Sequence, residues 1–217
     1  MKVLVIAPHP DDEALGCGGT IALHRKRGDD VSLCIVTKAY TPDWPDRYLK
    51  NKISEIKRSN KMLEINKTFF LDFPTIKLDT FPQRDLNKKI STIIDEVKPE
   101  IVYIPHRGDL NKDHRLVFES SLVALRPVHH TSKRILCYEV LSETEWGSQP
   151  DSFQPNVYVN ISDTISQKIS ACCAYKSEIK QHPHPRSPEG IDTLAKKRGS
   201  EVNLAYAESF MLIREVL

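Results

Sequence analysis

The chain has 217 residues, of which 40% are hydrophobic and 28% are charged, a composition typical of one soluble domain that buries a core without disulfides. Its 31 Lys and Arg residues nearly balance 29 Asp and Glu residues for a formal charge of +2, and neither this charge nor any basic run indicates a nucleic-acid partner. No stretch approaches the ~20 apolar residues of a membrane span, and the polar residues after Ala7 argue against a signal peptide. We therefore expect a single cytoplasmic domain over residues 1–217.

Short apolar, β-branched runs alternate with longer helical patterns along the chain. The predicted strands are 3–7, 31–37, 68–73, 101–105, 135–140 and 157–161, and the predicted helices lie near 13–27, 52–64, 84–97, 115–125 and 164–180. Strands that are apolar throughout are buried on both faces, and their alternation with helices indicates βαβ units. The pattern predicts a Rossmann-like three-layer α/β/α sandwich with a mostly parallel sheet.

Cysteines and glycines exclude two kinds of site. The five cysteines include no Cys-x-x-Cys pair, which argues against a disulfide framework and a cysteine zinc site, and suits a reducing compartment. The run Gly16-Cys17-Gly18-Gly19 lacks the last glycine of the dinucleotide fingerprint. We therefore predict no nucleotide cofactor, and interpret these glycines as a close contact between the first helix and the sheet.

Polar side chains follow the first and the fourth predicted strands. His9, Asp11 and Asp12 come after the first strand, and His114 follows the fourth. Ligands bind at the carboxyl ends of strands in open α/β sheets, so if these two strands are neighbours, His114 can reach His9 and Asp12. Two histidines and one carboxylate with an open position form a catalytic metal site, and Asp11 is then a candidate general base. The competing interpretation is that His9 and Asp12 only cap the first helix.

The same residues carry a family resemblance. Pro8-His9-Pro10-Asp11-Asp12-Glu13 resembles the signature of the LmbE/PIG-L-type zinc-dependent N-deacetylases, which act on N-acetylglucosaminyl compounds. The family's second motif, Asp-x-His-Pro-Asp-His, is similar to residues 109–114. The resemblance implies His9, Asp12 and His114 as zinc ligands and Asp11 as the base.

Two more catalytic residues follow from the second motif. The resemblance implies that Asp113 orients a catalytic group. Asn111 replaces the family's histidine, so it can donate a hydrogen bond to an oxyanion but cannot supply a proton.

The missing proton donor leaves two alternatives. Either Asp11 returns the proton that it took, or a histidine of the Pro-rich loop 181–190 reaches the site. We favour His184 over His182, because Arg186 follows it closely and one turn would present an imidazole and a guanidinium together. Long ordered loops such as this one and 38–50 are often binding loops.

Other side chains have weaker claims to a role. Arg186 and Arg198 are candidates for binding a phosphate or sugar hydroxyls, and surface salt bridging is the alternative. Trp44, Tyr48 and Trp146 are candidates for stacking on a sugar ring. His106 is expected to support the site from behind the ligands. His129 and His130 are interpreted as surface or packing residues.

The predicted function is removal of an acetyl group from an N-acetylated amino sugar. The sequence leaves open whether that N-acetylglucosamine-type sugar is free, nucleotide-linked or lipid-linked. It also leaves open whether the metal is Zn²⁺ or another divalent ion such as Fe²⁺, and whether the chain forms a homo-oligomer. Two alternative functions remain: a non-haem Fe(II) enzyme, since two histidines and a carboxylate also suit that metal, and a catalytically inactive sugar- or metal-binding protein.

Overall fold

The computed structural model describes residues 1–128, 131–147 and 151–217, so His129 and His130 lie outside the described residues. Within them a seven-stranded sheet has the order β3-β2-β1-β4-β5-β7-β6. The strands are β1 Lys2–Ala7, β2 Asp30–Lys38, β3 Lys67–Pro74, β4 Ile101–Pro105, β5 Arg134–Tyr138, β6 Val157–Asn160 and β7 Ala207–Glu215. The helices are α1 Asp12–Lys26, α2 Asp46–Met62, α3 Gln83–Val97, α4 Lys112–Ala124, α5 Ile165–Ala174 and α6 Pro188–Ser200.

The prediction of a mostly parallel sheet between two helical layers is confirmed. Strands β1 to β5 pair in parallel, and β7 runs antiparallel to β5 and β6. One apolar core joins the sheet to α1, α2, α5 and α6, and a second joins its other face to α3 and α4. None of the helices in these residues is long and apolar enough to span a membrane.

The strand order reverses between β1 and β4. From β1 the chain adds β2 and β3 on one side, and then returns to add β4 and β5 on the other. Val5 of β1 pairs with Tyr103 of β4, so the carboxyl ends of these two strands lie side by side. This adjacency was the condition for bringing His114 close to His9 and Asp12. In open α/β sheets, ligands bind at the carboxyl ends of the strands at such a reversal of strand order.

Helix α1 packs closely on the sheet. A Cβ atom added at Gly16 would lie 2.3 Å from the ring of Tyr138 in β5, which no real contact allows. The interpretation as a close contact with the sheet is therefore confirmed at Gly16, whereas Gly18 lies against Lys168 of α5 and Gly19 against Ile161. The Tyr138 hydroxyl donates to the Ile6 carbonyl of β1 at 2.8 Å, so the same side chain also ties β5 to the strand that precedes the first polar cluster.

A buried ion pair enters the middle of α1. The N–H groups of Gly19 and Thr20 donate to the Glu208 carboxylate at 2.9 and 2.7 Å. Lys168 Nζ donates to the Leu15 carbonyl and to Glu208, both at 2.6 Å. The pair joins α5 and β7 to the helix that begins at Asp12.

The remaining elements differ from the prediction at identifiable places. Helix α2 begins at Asp46 rather than near residue 52, after Pro45 as its N-cap, so the predicted loop 38–50 is shorter. Helix α5 ends at Ala174 rather than near residue 180. Helix α6 and strand β7 were not predicted.

Candidate metal centre

The three predicted ligand residues meet at the ends of β1 and β4. His9 follows β1, Asp12 is the first residue of α1, and His114 lies in the first turn of α4. Asp12 and His114 are buried and His9 is partly buried. The interpretation in which His9 and Asp12 only cap a helix fails, because the Asp12 carboxylate accepts the N–H of His9, outside α1, and not an N–H of the helix.

The candidate ligand atoms form a nearly equilateral triangle. His9 Nδ1 lies 3.1 Å from His114 Nε2 and 3.5 Å from Asp12 Oδ2, and these last two atoms are 3.2 Å apart. Ligand atoms on a tetrahedral zinc ion with bonds of ~2.0–2.1 Å are about 3.3 Å from one another. The donor set and its spacing therefore fit a metal ion with one position left for a water molecule or a substrate.

A carboxylate lies behind each histidine. His9 Nε2 is 3.0 Å from Asp113 Oδ2, which also accepts a backbone N–H at 2.7 Å. His114 Nδ1 is 3.1 Å from Asp109 Oδ2, which also accepts a threonine hydroxyl at 2.8 Å. These contacts favour a proton on the ring nitrogen that faces away from the triangle and leave the other nitrogen for a metal.

The surrounding carboxylates raise the pKa of both histidines. Burial is the largest effect and disfavours the charged ring, but hydrogen bonds to Asp113 and Asp12 raise the pKa of His9 to about 9. The pKa of His114 also rises well above its usual value, because Asp12 and Asp109 outweigh burial. A metal that binds here in neutral solution must displace protons.

Asp11 is held in place by a strained backbone and an arginine. Its φ of 129° is a conformation that costs a residue with a side chain about 1–3 kcal/mol. Arg186 Nη1 donates to Asp11 Oδ2 at 3.0 Å, and Arg186 Nη2 donates to Glu143 at 3.1 Å. Burial raises the pKa of Asp11, and the positive charge of Arg186 opposes that rise. The sequence indicated neither this pairing nor Glu143.

A cavity of about 200 Å³, called the site cavity below, lies beside the triangle and is lined by His9 and Asp11. Trp44 and Tyr48 also line it, so two of the three aromatic candidates for sugar stacking are at the site. Trp146 is 69% exposed and is not among the described residues that line the cavity.

Two predicted catalytic residues have positions that limit their roles. Asn111 lines the site cavity, but its Oδ1 is the N-cap of α4 and accepts the Asp113 N–H at 3.0 Å. His184 is exposed, and its Nδ1 accepts the N–H of Arg186 at 3.1 Å. In this structure loop 181–190 contacts Asp11 through Arg186, and His184 is not among the described residues that line the site cavity.

The other weighed residues lie away from the triangle. His106 accepts the Gly108 N–H at 3.2 Å and contacts the ring of Phe153 edge-on. The support expected from His106 comes instead from the two carboxylates behind the ligand histidines. Arg198 pairs with Glu139 and Glu201, in keeping with the salt-bridge alternative.

Comparisons with known proteins agree with this geometry. The family model described as "PIG-L: GlcNAc-PI de-N-acetylase" matches residues 4–125. A diacetylchitobiose deacetylase of Thermococcus kodakarensis is 29% identical over 98% of this chain and 83% of its own length. An Escherichia coli protein described as the uncharacterized deacetylase YaiS is 31% identical over 81% of this chain and 90% of its own. The crystal structure of a conserved Thermus thermophilus protein superposes with a TM-score of 0.80 at 25% identity, covering 100% of this chain and 96% of that one.

Proposed function

This chain belongs to the PIG-L family, whose family model is described as a GlcNAc-PI de-N-acetylase. We infer that the protein is a hydrolase that removes the acetyl group from an N-acetylated amino sugar. The observation that carries this function is the position of Asp11. A carboxylate that lines the same cavity as His9 of the ligand triangle is what amide hydrolysis requires, since the attacking water must lose a proton.

We propose that His9 Nδ1, Asp12 Oδ2 and His114 Nε2 hold a divalent metal, with Zn²⁺ as the first candidate and Fe²⁺ compatible with the same donors. A metal bound there acts as a Lewis acid, which polarises the acetyl carbonyl and makes a water molecule more acidic. Asp113 and Asp109 fix the two rings in the orientation that presents these nitrogens.

In the proposed reaction Asp11 removes a proton from the attacking water and later gives a proton to the leaving amine. The exposed position of His184 supports this double role over the alternative of a histidine donor. Arg186 keeps the Asp11 carboxylate oriented and favours its ionised form. The Asn111 amide lines the same cavity and is the proposed hydrogen-bond donor to the developing oxyanion.

Family membership and the Asp11 geometry support hydrolysis over an Fe(II) oxygenase or an inactive binding protein. The proposed substrate is an N-acetylglucosamine-type sugar. The proposed function is compatible with a homo-oligomer. The five cysteines are all free, and four of them are buried, which supports the proposed cytoplasmic location.

The test is acetate release from N-acetylglucosamine, its methyl glycoside, diacetylchitobiose and UDP-N-acetylglucosamine, with enzyme reconstituted in Zn²⁺ or Fe²⁺. We expect turnover of at least one substrate by the wild type, and loss of that turnover in Asp11→Asn at full metal content. A metal-loaded protein that releases no acetate from any of them contradicts the proposed function.

A further inference from the structure

An apolar groove lies between α2 and the edge of the sheet. Its apolar wall consists of Leu49, Ile53 and Ile56 from α2, Ile35 from β2 and Phe70 from the edge strand β3, and its volume is about 550 Å³. Ile53 is 54% exposed and Phe70 is 52% exposed. The groove exists because α2 packs against α5, so it leaves its side of β3 open.

The groove adjoins the site cavity. Pro10, Ala39 and Lys52 line both spaces. Pro10 is the neighbour of both His9 and Asp11. The Lys52 ammonium bonds to Glu178, which lines the site cavity. A molecule bound at the metal would therefore lie next to the groove, on the other side of Pro10 and Ala39.

Two of the three lysines that line the groove lie close to carboxylates. Lys52 is close to carboxylates of both Glu55 and Glu178, and Lys38 lies 3.7 Å from Asp72. These lysines do not form an unneutralised cluster for the phosphates of a nucleotide. The volume falls in the range of ~300–1,000 Å³ that small-molecule sites occupy, whereas a protein partner needs a surface of about 800 Å².

We propose that this groove binds an apolar group, such as an alkyl chain, carried by the N-acetylated sugar while its acetamido group lies at the metal. The proposal rests on the proposed function, and selects a lipid-like substituent over a nucleotide. It also gives a role to Ile53 and Phe70, two large apolar side chains left half exposed beside the site.

The first measurement is a chain-length series. The methyl, butyl and hexyl glycosides of N-acetylglucosamine are compared below their micelle-forming concentrations. Burial of each added methylene raises kcat/KM by about twofold to fourfold until the groove is filled. A wild-type enzyme that hydrolyses all three glycosides at equal kcat/KM overturns the groove proposal and leaves the deacetylase function standing.

The second measurement uses variants of the exposed groove residues. Ile53→Ser combined with Phe70→Ser should abolish the chain-length dependence and leave kcat/KM for the methyl glycoside within twofold. Ile213→Ser on β7 is the matched control, because Ile213 is 37% exposed and outside the groove, and it should keep the wild-type series. A double variant with the wild-type chain-length dependence contradicts the proposal.

A binding experiment separates the groove from the chemistry. Hexyl glucoside has no acetyl group, and its binding is measured by calorimetry on the wild type and on the double variant. Binding that the double variant loses supports the groove even if no glycoside is deacetylated, in which case the proposed function alone fails. If the double substitution instead converts a dimer into a monomer and hexyl glucoside binds neither form, the groove is covered by a second copy of the chain and the proposal is overturned.

Discussion

Each corner of the ligand triangle is a single side-chain atom, so each is open to substitution by itself. We expect His9→Ala, Asp12→Ala and His114→Ala each to lose most of the bound metal on dialysis, since two protein ligands hold a divalent ion far more weakly than three. Elemental analysis measures the occupancy. The control is His184→Ala, which alters an exposed histidine and should keep full metal. Full occupancy in one of the three variants removes that residue from the ligand set.

The role of Asp11 is tested by Asp11→Asn. Asn cannot accept a proton from water, and a general base contributes about 10²–10⁴-fold to the rate, so kcat should fall by that factor while the metal is retained. The fold should survive, because Asn has nearly the same size and shape as Asp and keeps an oxygen that can accept from Arg186. Activity within a few-fold of wild type at full metal content would exclude Asp11 as the base.

Arg186 offers a prediction about pH. Its charge lowers the pKa of Asp11 against the effect of burial, so Arg186→Met should raise that pKa further. Less of the ionised base is then present at a given acidic pH, and the acid limb of the kcat/KM profile should move to higher pH. Arg198→Met, which breaks the pair with Glu139, is the control and should leave the profile unchanged. An unshifted limb in Arg186→Met means that Arg186 does not act on Asp11.

At the residue scale, the local motif predicted two corners of the triangle, His9 and Asp12, whereas the third corner and the contacts around Asp11 depend on distant parts of the chain. His9, Asp11 and Asp12 are close in sequence, so their convergence follows from one strand-to-helix turn. The Arg186–Asp11 contact spans 175 positions and depends on the path of a loop. That path carries no periodic signal, so the sequence did not indicate which residue of loop 181–190 contacts Asp11.

Helix α1 depends on the ion pair inserted into its middle. Lys168→Met would leave the Glu208 carboxylate buried without its partner, and such a change costs about 3–5 kcal/mol. Urea denaturation should show that loss in the free energy of unfolding. Lys196→Met, which breaks an exposed pair with Asp192 on α6, should change it by less than about 1 kcal/mol. Equal stabilities for the two variants would contradict a structural role for the buried pair.

The two elements missed by the prediction, β7 and α6, contain residues that usually argue against a strand or a helix. Strand β7 contains Glu208 and Ser209, whose buried polar side chains interrupt its apolar pattern. Helix α6 contains Pro188 and Gly190, which usually indicate turns, but Pro188 is its first residue after the N-cap Ser187, a position that suits proline. Long-range hydrogen bonds to α1 and Lys168 satisfy Glu208 in β7, whereas the start of α6 is satisfied locally by its own N-cap and proline.

For the whole molecule, the proposed metal site links two separate halves of the sheet. At a free metal concentration 100 times Kd, binding stabilises the fold by about 2.7 kcal/mol, or about 5–10 °C in Tm for a chain of this size. Because the pKa of His9 is raised to about 9, protons compete with the metal below that value. The Tm difference between metal-loaded and chelator-treated protein should therefore grow from pH 7 to pH 9. A constant difference measured by calorimetry would contradict proton displacement from the ligands.

The class of fold was within reach of the sequence, but the order of the strands was not. Alternating apolar strands and amphipathic helices predicted the parallel sheet and its two covering layers. The adjacency of β1 and β4 was a condition of the site hypothesis, since the same pattern of elements is compatible with several strand orders. Long-range packing fixes that order, and with it the position of the site at the reversal.

The ligand residues and part of the cavity wall stand on different parts of the fold. His9, Asp12 and His114 lie at the end of one strand and in the first turns of two helices. Trp44, Ile76 and Arg186 reach the cavity from loops. In evolutionary terms the two sets can therefore diverge at different speeds: the loops can exchange one sugar substituent for another while the chemistry at the strand ends is inherited unchanged.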